Sequence, residues 1–211
     1  MTATTHTTPH WTSALVRLGA CPEAVAWCRT QPDQQTAWDA CQRGNWMLWI
    51  LGRLAGPVGS DSRRMLVGAA AECARLALPV FERGRPGDTR VRECLDLLDR
   101  YAAGDGTVDI AAVRAAADAT ATTAAAIYAT TAAYAAAATA NAANAAYATN
   151  TANAAADATH NAAYAYAATS YAAHVADIAY ISAAASAAHT AMLTATADAI
   201  RGRYPTAPVL P

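Results

Sequence analysis

Residues 111–150 read AAVRAAADATATTAAAIYATTAAYAAAATANAANAAYATN, and the same style of sequence runs on to Ile200. Alanine makes up 46 of the 90 residues from 111 to 200, with tyrosine, threonine and asparagine filling most of the remainder. Alanine has the highest helix propensity of any residue. Neither glycine nor proline occurs between Thr107 and Arg201, so the segment must be helical. A single helix of that length would extend roughly 140 Å, at about 1.5 Å per residue, too far for a lone helix in water. It therefore has to fold back as a helical hairpin or pair with another element. Asn, Asp and Thr side chains compete with helical hydrogen bonds. They cluster at Thr149–Asn153 and Asp157–Asn161, where a reversal is expected. Alanine faces let helix axes approach closely, and Tyr128, Tyr134, Tyr147, Tyr164, Tyr171 and Tyr180 would supply the larger contacts.

Upstream, the rules change. Ten of the eleven glycines lie between Gly19 and Gly106, and every tryptophan and cysteine precedes Leu95, as in an ordinary globular sequence with short helices. Pro22 suits a first helical turn, with Val25 and Cys28 inward. Asp33 is placed to cap Gln34–Arg43, which Gly44 ends, and Asn45 to cap Trp46–Leu54. That last run is apolar nearly all round, as a buried central helix reads. Asp61 would cap a helix whose Leu66, Ala69, Ala70, Cys73, Leu76, Ala77 and Val80 form one stripe, and Asp88 a helix with Val91, Cys94, Leu95 and Leu98 inward. Trp46, Trp49, Leu66, Cys73, Cys94 and Leu98 are therefore expected in the core. Thr107 opens the last element, with Asp109 favoured by the helix dipole in its first turn. No stretch alternates with the period of two that a strand requires. The expected organisation is an N-terminal segment at 1–19, a globular helical domain at 20–106, an Ala/Tyr-rich helical segment at 107–201 and a tail at 202–211.

Composition narrows the function classes. A formal net charge of -1 gives no electrostatic footing for nucleic acid or an anionic membrane. Residues 1–8 lack the basic and apolar regions of a secretory signal. The five cysteines, odd in number and without a C-x-x-C pair, read as reduced core thiols. A cytoplasmic location follows as the expectation. The uncharged stretch between Asp118 and Asp157 is too rich in Asn and Thr for membrane insertion. Asp157 with His160, and His174 with Asp177, have the acid-x-x-His spacing found at bundle metal sites. Asp is shorter than the Glu those sites use, so polar surface pairs are the better reading, and neither metal nor cofactor is expected. No nucleophile–base, zinc or phosphate-loop motif occurs.

Two faces remain for a partner. Arg64, Glu72 and Arg75 lie opposite the apolar stripe of one helix, and Arg92, Asp96 and Arg100, spaced four apart, form an ion ladder outside another. These six are the candidate partner-binding residues, since charged side chains can steer association. The tryptophans (Trp11, Trp27, Trp38, Trp46, Trp49) are a hot-spot residue type, although their helix positions favour core packing. A different reading comes from the Ala/Thr/Asn composition, which is similar to alanine-rich antifreeze helices with Thr every eleven residues. Thr120 and Thr131 fit one such line, and Thr139, Asn150 and Asn161 a second.

The stretch Cys21-Pro-Glu-Ala-Val-Ala-Trp-Cys28, followed by Ala37-Trp38-Asp-Ala-Cys41-Gln-Arg-Gly44-Asn45-Trp46-Met-Leu-Trp49, resembles the immunity proteins of bacterial polymorphic toxin systems, family five. The likeness continues through Arg63-Arg64, Ala70-Ala-Glu-Cys73-Ala-Arg-Leu-Ala77-Leu-Pro79, Arg90–Asp96 and the start of the Ala-rich segment, covering roughly residues 20–120. Asp is common in that family where this chain has Asn45. Either residue can cap a helix, so the departure touches only a role that needs charge there. The resemblance implies an all-α protein that neutralises a cognate protein toxin by binding it, without catalysis. No binding residues carry over, because the shared motif reads as a core signature.

Overall fold

Helix ends fix most of this chain's architecture. In the computed structural model, which describes residues 10–126, 131–147, 153–159, 161–162, 164–165 and 178–211, every regular element is helical and no strand occurs among the described residues. The fold is all-α. The chain divides into two units, residues up to Ala40 together with Thr206–Pro211, and Cys41–Pro205.

The first unit holds α1 (Thr12–Leu18), α2 (Pro22–Arg29) and α3 (Gln34–Ala40). Gly19 ends α1 with a positive φ of 85°, a conformation that costs glycine little. Pro22 occupies the first turn of α2, and the Asp33 carboxylate accepts from the Thr36 N–H at 2.7 Å, capping α3 as the sequence suggests. α3 stops at Ala40 rather than running to Arg43.

The second unit comprises α4 (Gly44–Leu54), α5 (Asp61–Arg75), α6 (Leu78–Gly84), α7 (Arg90–Ala102), α8 (Ile110–Ala126), α9 (Thr131–Tyr147), a helical stretch at 153–159 (α10) and α11 (Ile178–Arg203). Four helix starts differ from expectation by one to three residues. Gly44 opens α4 rather than closing the helix before it, which places Asn45 inside the first turn, buried. Ser60, not Asp61, caps α5 by accepting from the Arg63 N–H. Asp88 stands outside α7, whose N-cap position is Thr89, and accepts from the Arg90 N–H at 3.3 Å. Asp109 accepts from the Ala112 N–H at 2.7 Å and so caps α8, which opens at Ile110 rather than at Thr107 and leaves Asp109 just outside the first turn.

α9 is the centre of this unit, packed against α5, α6, α7 and α8. Ala136, Ala138, Ala140, Ala142, Ala143, Ala145 and Ala146 are buried, together with Thr139. Only small side chains let four neighbours approach one helix so closely. α8 and α9 lie against each other, so the Ala-rich segment packs on itself as a pair of helices. Residues 149–152, part of the expected reversal, lie outside the described residues, while 157–159 are helical. The composition changes at Gly106, but the packing runs across it, α7 on α8 and α5 on α9.

α11 completes the core against α4 and α5 through Met192, Leu193, Thr196, Ala197 and Ile200. Gly44 meets Thr196 so closely that a Cβ there would stand 2.2 Å from its Oγ1. Leu66, Cys73, Cys94 and Leu98 are buried as expected, whereas Trp46 and Trp49 are only half-buried. Cys41, Cys73 and Cys94 are core thiols, but Cys21 is exposed and Cys28 half-buried, so two of the five leave the expected core. Among the described residues, no helix is long and apolar enough to cross a membrane.

Candidate interaction surface

The six charged candidates fall on two helices, Arg64, Glu72 and Arg75 on α5 and Arg92, Asp96 and Arg100 on α7. Arg75 reaches across to α7, donating to Asp96 at 3.1 Å and Asp99 at 2.5 Å. Glu72 accepts from Arg203 of α11 at 2.6 Å. Arg92 pairs with Glu82 of α6, and Arg64 with Asp61 and, at 2.5 Å, the Gly59 carbonyl. Arg100 binds Asp105 at 2.8 Å and the Thr107 hydroxyl at 2.7 Å.

The expected ladder along α7 does not form. Acids on neighbouring segments lie in better positions than those four residues away, so each charge is drawn sideways. Asp105, held by the Thr107 hydroxyl and N–H and then by Arg100, has its pKa pulled down to about 2. The structure thus brings Arg75 and Asp96 together and ties each of the other four to a group outside the set. Exposed pairs of this kind contribute little stability individually. Their arrangement staples α5, α6, α7 and α11 to one another and leaves these charges engaged within the chain.

A second surface lies on α4. Met47, Leu48, Ile50 and Leu51 point into the core, while Trp46, Trp49 and Arg53, at i, i+3 and i+7, line the opposite side. The Arg43 guanidinium sits 4.6 Å from the Trp46 ring centroid, and that of Arg53 5.9 Å from Trp49. Each indole is thus half out of the core with a cation over its face, an attraction that grows as water is removed. Arg43 also donates to the buried Asn45 Oδ1 at 3.4 Å, so the Asn at that position orients the arginine. The apolar run of α4 masked this surface in the sequence. The available signal was the spacing, Arg43 three residues before Trp46 and Arg53 four after Trp49.

In the Ala-rich helices, Thr120 and Thr139, the first members of the two eleven-residue lines, are fully buried. The Thr120 hydroxyl bonds the Ala116 and Ala117 carbonyls at 3.0 and 2.9 Å. Tyr147 is half-buried beneath Arg114, 4.8 Å from its ring, and Tyr164 is exposed beside His189. Tyr128, Tyr171, Asn150, His160, His174 and Asp177 lie outside the described residues. Among the described residues, no three His, Cys, Asp or Glu side chains gather as a metal site would require. No family model matches the sequence, and no curated protein or solved structure matches it either.

Proposed function

We propose that this chain is an immunity protein that neutralises a cognate bacterial protein toxin in the cytoplasm by stoichiometric binding rather than catalysis. The observation that carries the reading is the Trp46–Trp49 stripe flanked by Arg43 and Arg53. Tryptophan and arginine are the residue types that dominate binding hot spots, because a large rigid ring and a forked cation gain most when water is excluded. The stripe also falls within the segment that carries the family resemblance, Gly44-Asn45-Trp46-Met-Leu-Trp49. Two arginines flanking one tryptophan stripe favour an acidic patch on the partner.

The Arg64, Glu72, Arg75, Arg92, Asp96 and Arg100 face is the competing location. Its charges would have to leave existing partners before meeting new ones, which makes it the weaker candidate. The surface-active alternative would need Thr120 and Thr139 in contact with solvent, and their burial argues against it.

Co-purification with the product of the neighbouring gene tests the function. Against that partner, Trp46→Ala with Trp49→Ala should weaken binding by roughly a hundredfold or more, as hot-spot losses of about 2 kcal/mol each imply. Arg75→Glu with Arg92→Glu should leave affinity within a few fold, with folding checked in parallel by circular dichroism. The reverse pattern would move the interface to α5 and α7, and no complex at all would remove the reading.

A further inference from the structure

Residues 205–211 read PTAPVLP, with proline at every third position, and form neither helix nor strand. A three-residue proline spacing puts the rings on one edge of an extended chain and lowers the entropy lost when it docks. From Thr206 onward this segment belongs to the first unit, where side chains of α1 and α3 grip its backbone. Gln35 Oε1 accepts from the Ala207 N–H at 2.8 Å, and Gln34 Nε2 donates to the Pro208 carbonyl. Arg17 donates to the Pro211 carbonyl at 2.6 Å. The Gln35 amide is itself oriented, because its Nε2 donates to Asp39 at 2.8 Å and so turns its oxygen toward Ala207.

These three contacts all read main-chain groups of the segment. The seat covers one side of the segment only, since Ala207, Pro208 and Leu210 are half-buried while Val209 is 90% exposed and Thr206 and Pro211 are exposed as well. A surface that recognises backbone groups, and leaves one side of what it holds in solvent, suits an exchangeable ligand. We propose that α1 and α3 form a docking surface for extended, proline-spaced segments, that residues 206–211 occupy it in cis, and that a proline-rich segment of another protein competes for it. This does not rest on the immunity reading, because it involves a different surface and a different ligand chemistry.

The test uses a fluorescein-labelled PTAPVLP peptide and anisotropy. A chain ending at Pro205 should bind the peptide at least tenfold more tightly than the intact chain does. Gln35→Ala in that shortened chain should weaken binding several fold, and a peptide with its prolines replaced by alanine should bind more weakly. Should the shortened chain fail to fold, Ala207→Pro in the full chain serves instead. It removes the N–H that Gln35 accepts and loosens the segment while leaving the seat intact, so the same gain in peptide binding is expected. A folded variant that ignores the peptide, or an intact chain that binds it equally well, overturns the proposal. Dimerisation of the intact chain that truncation abolishes would assign the seat to a second copy and overturn the heterologous ligand.

Discussion

Gly44 and Thr196 meet where the start of α4 crosses α11. A methyl group on Gly44 would lie 2.2 Å from the Thr196 hydroxyl, 2.8 Å from its Cβ and 3.0 Å from the Ala197 nitrogen. Backbone cannot swing aside as a flexible side chain can, so Gly44→Ala should cost about 1–3 kcal/mol, read from the urea midpoint. Adding Thr196→Ala should recover only part of the loss, since the Cβ and the nitrogen remain. Nothing near Gly44 in sequence announces this contact. The sequence shows a helix punctuator, and the reason for glycine lies on a helix near the far end of the chain. The buried thiols behave differently, because burial itself was readable from the helix stripes. Burial pushes the Cys94 thiol up to about 11 from its ordinary 9.0, and raises Cys41 and Cys73 as well. Iodoacetamide at pH 8 should therefore label Cys21 well before these three, which mass spectrometry would show. The Cys94 contribution to stability is complete below pH 9 and is lost as pH rises toward 11. A urea midpoint that stays flat across that window would place the thiol in water.

Among the helices, α7 was legible almost residue by residue, because Val91, Cys94, Leu95 and Leu98 alternate with charges and mark one buried side. The single stripe expected from Leu66 to Val80 is instead broken at Leu76 and Ala77 into α5 and α6. α4 was not legible. An apolar run reads as buried all round, yet tryptophan can keep one ring edge in the core while an arginine covers the rest. Trp49→Ala should accordingly cost about 2 kcal/mol, less than the roughly 3–5 typical of a fully buried tryptophan. The ion ladder on α7 was misread for a related reason: spacing along one helix says nothing of acids on the next. The pairing of α8 with α9 had no mark in the sequence, because a segment of nearly uniform propensity carries no local stop signal and packing decides which stretches meet. α9 invites its own test. Ala142→Leu, at a position buried among four helices, should lose about 1–3 kcal/mol by overpacking. Ala121→Leu on the exposed side of α8 should stay within about 0.5 kcal/mol. Similar midpoints for the two variants would deny α9 its central place.

For the whole molecule, the all-α class was legible from alanine content and the lack of period-two alternation, while the sequence left open whether the Ala-rich helices would pack on the ordinary ones or on each other, and they do both. Within α1–α3 few residues are buried, Ala14, Leu15, Val25 and Trp38 among them, whereas the buried set of α4–α11 is far larger. Hydrogen exchange should find amides of α5, α7 and α9 opening only with global unfolding and those of α1 and α2 opening sooner; uniform protection would contradict this. The methyl-lined centre around α9 also has a calorimetric consequence. Alanine exposes little apolar surface on unfolding and loses no rotamer freedom on folding. Heat capacity changes scale with the apolar area released, so this chain should unfold with a change per residue below the usual 12–15 cal/mol/K or so. Its stability would then vary gently with temperature, a broad low dome in place of a steep one, with the cold-unfolding limit displaced far below freezing.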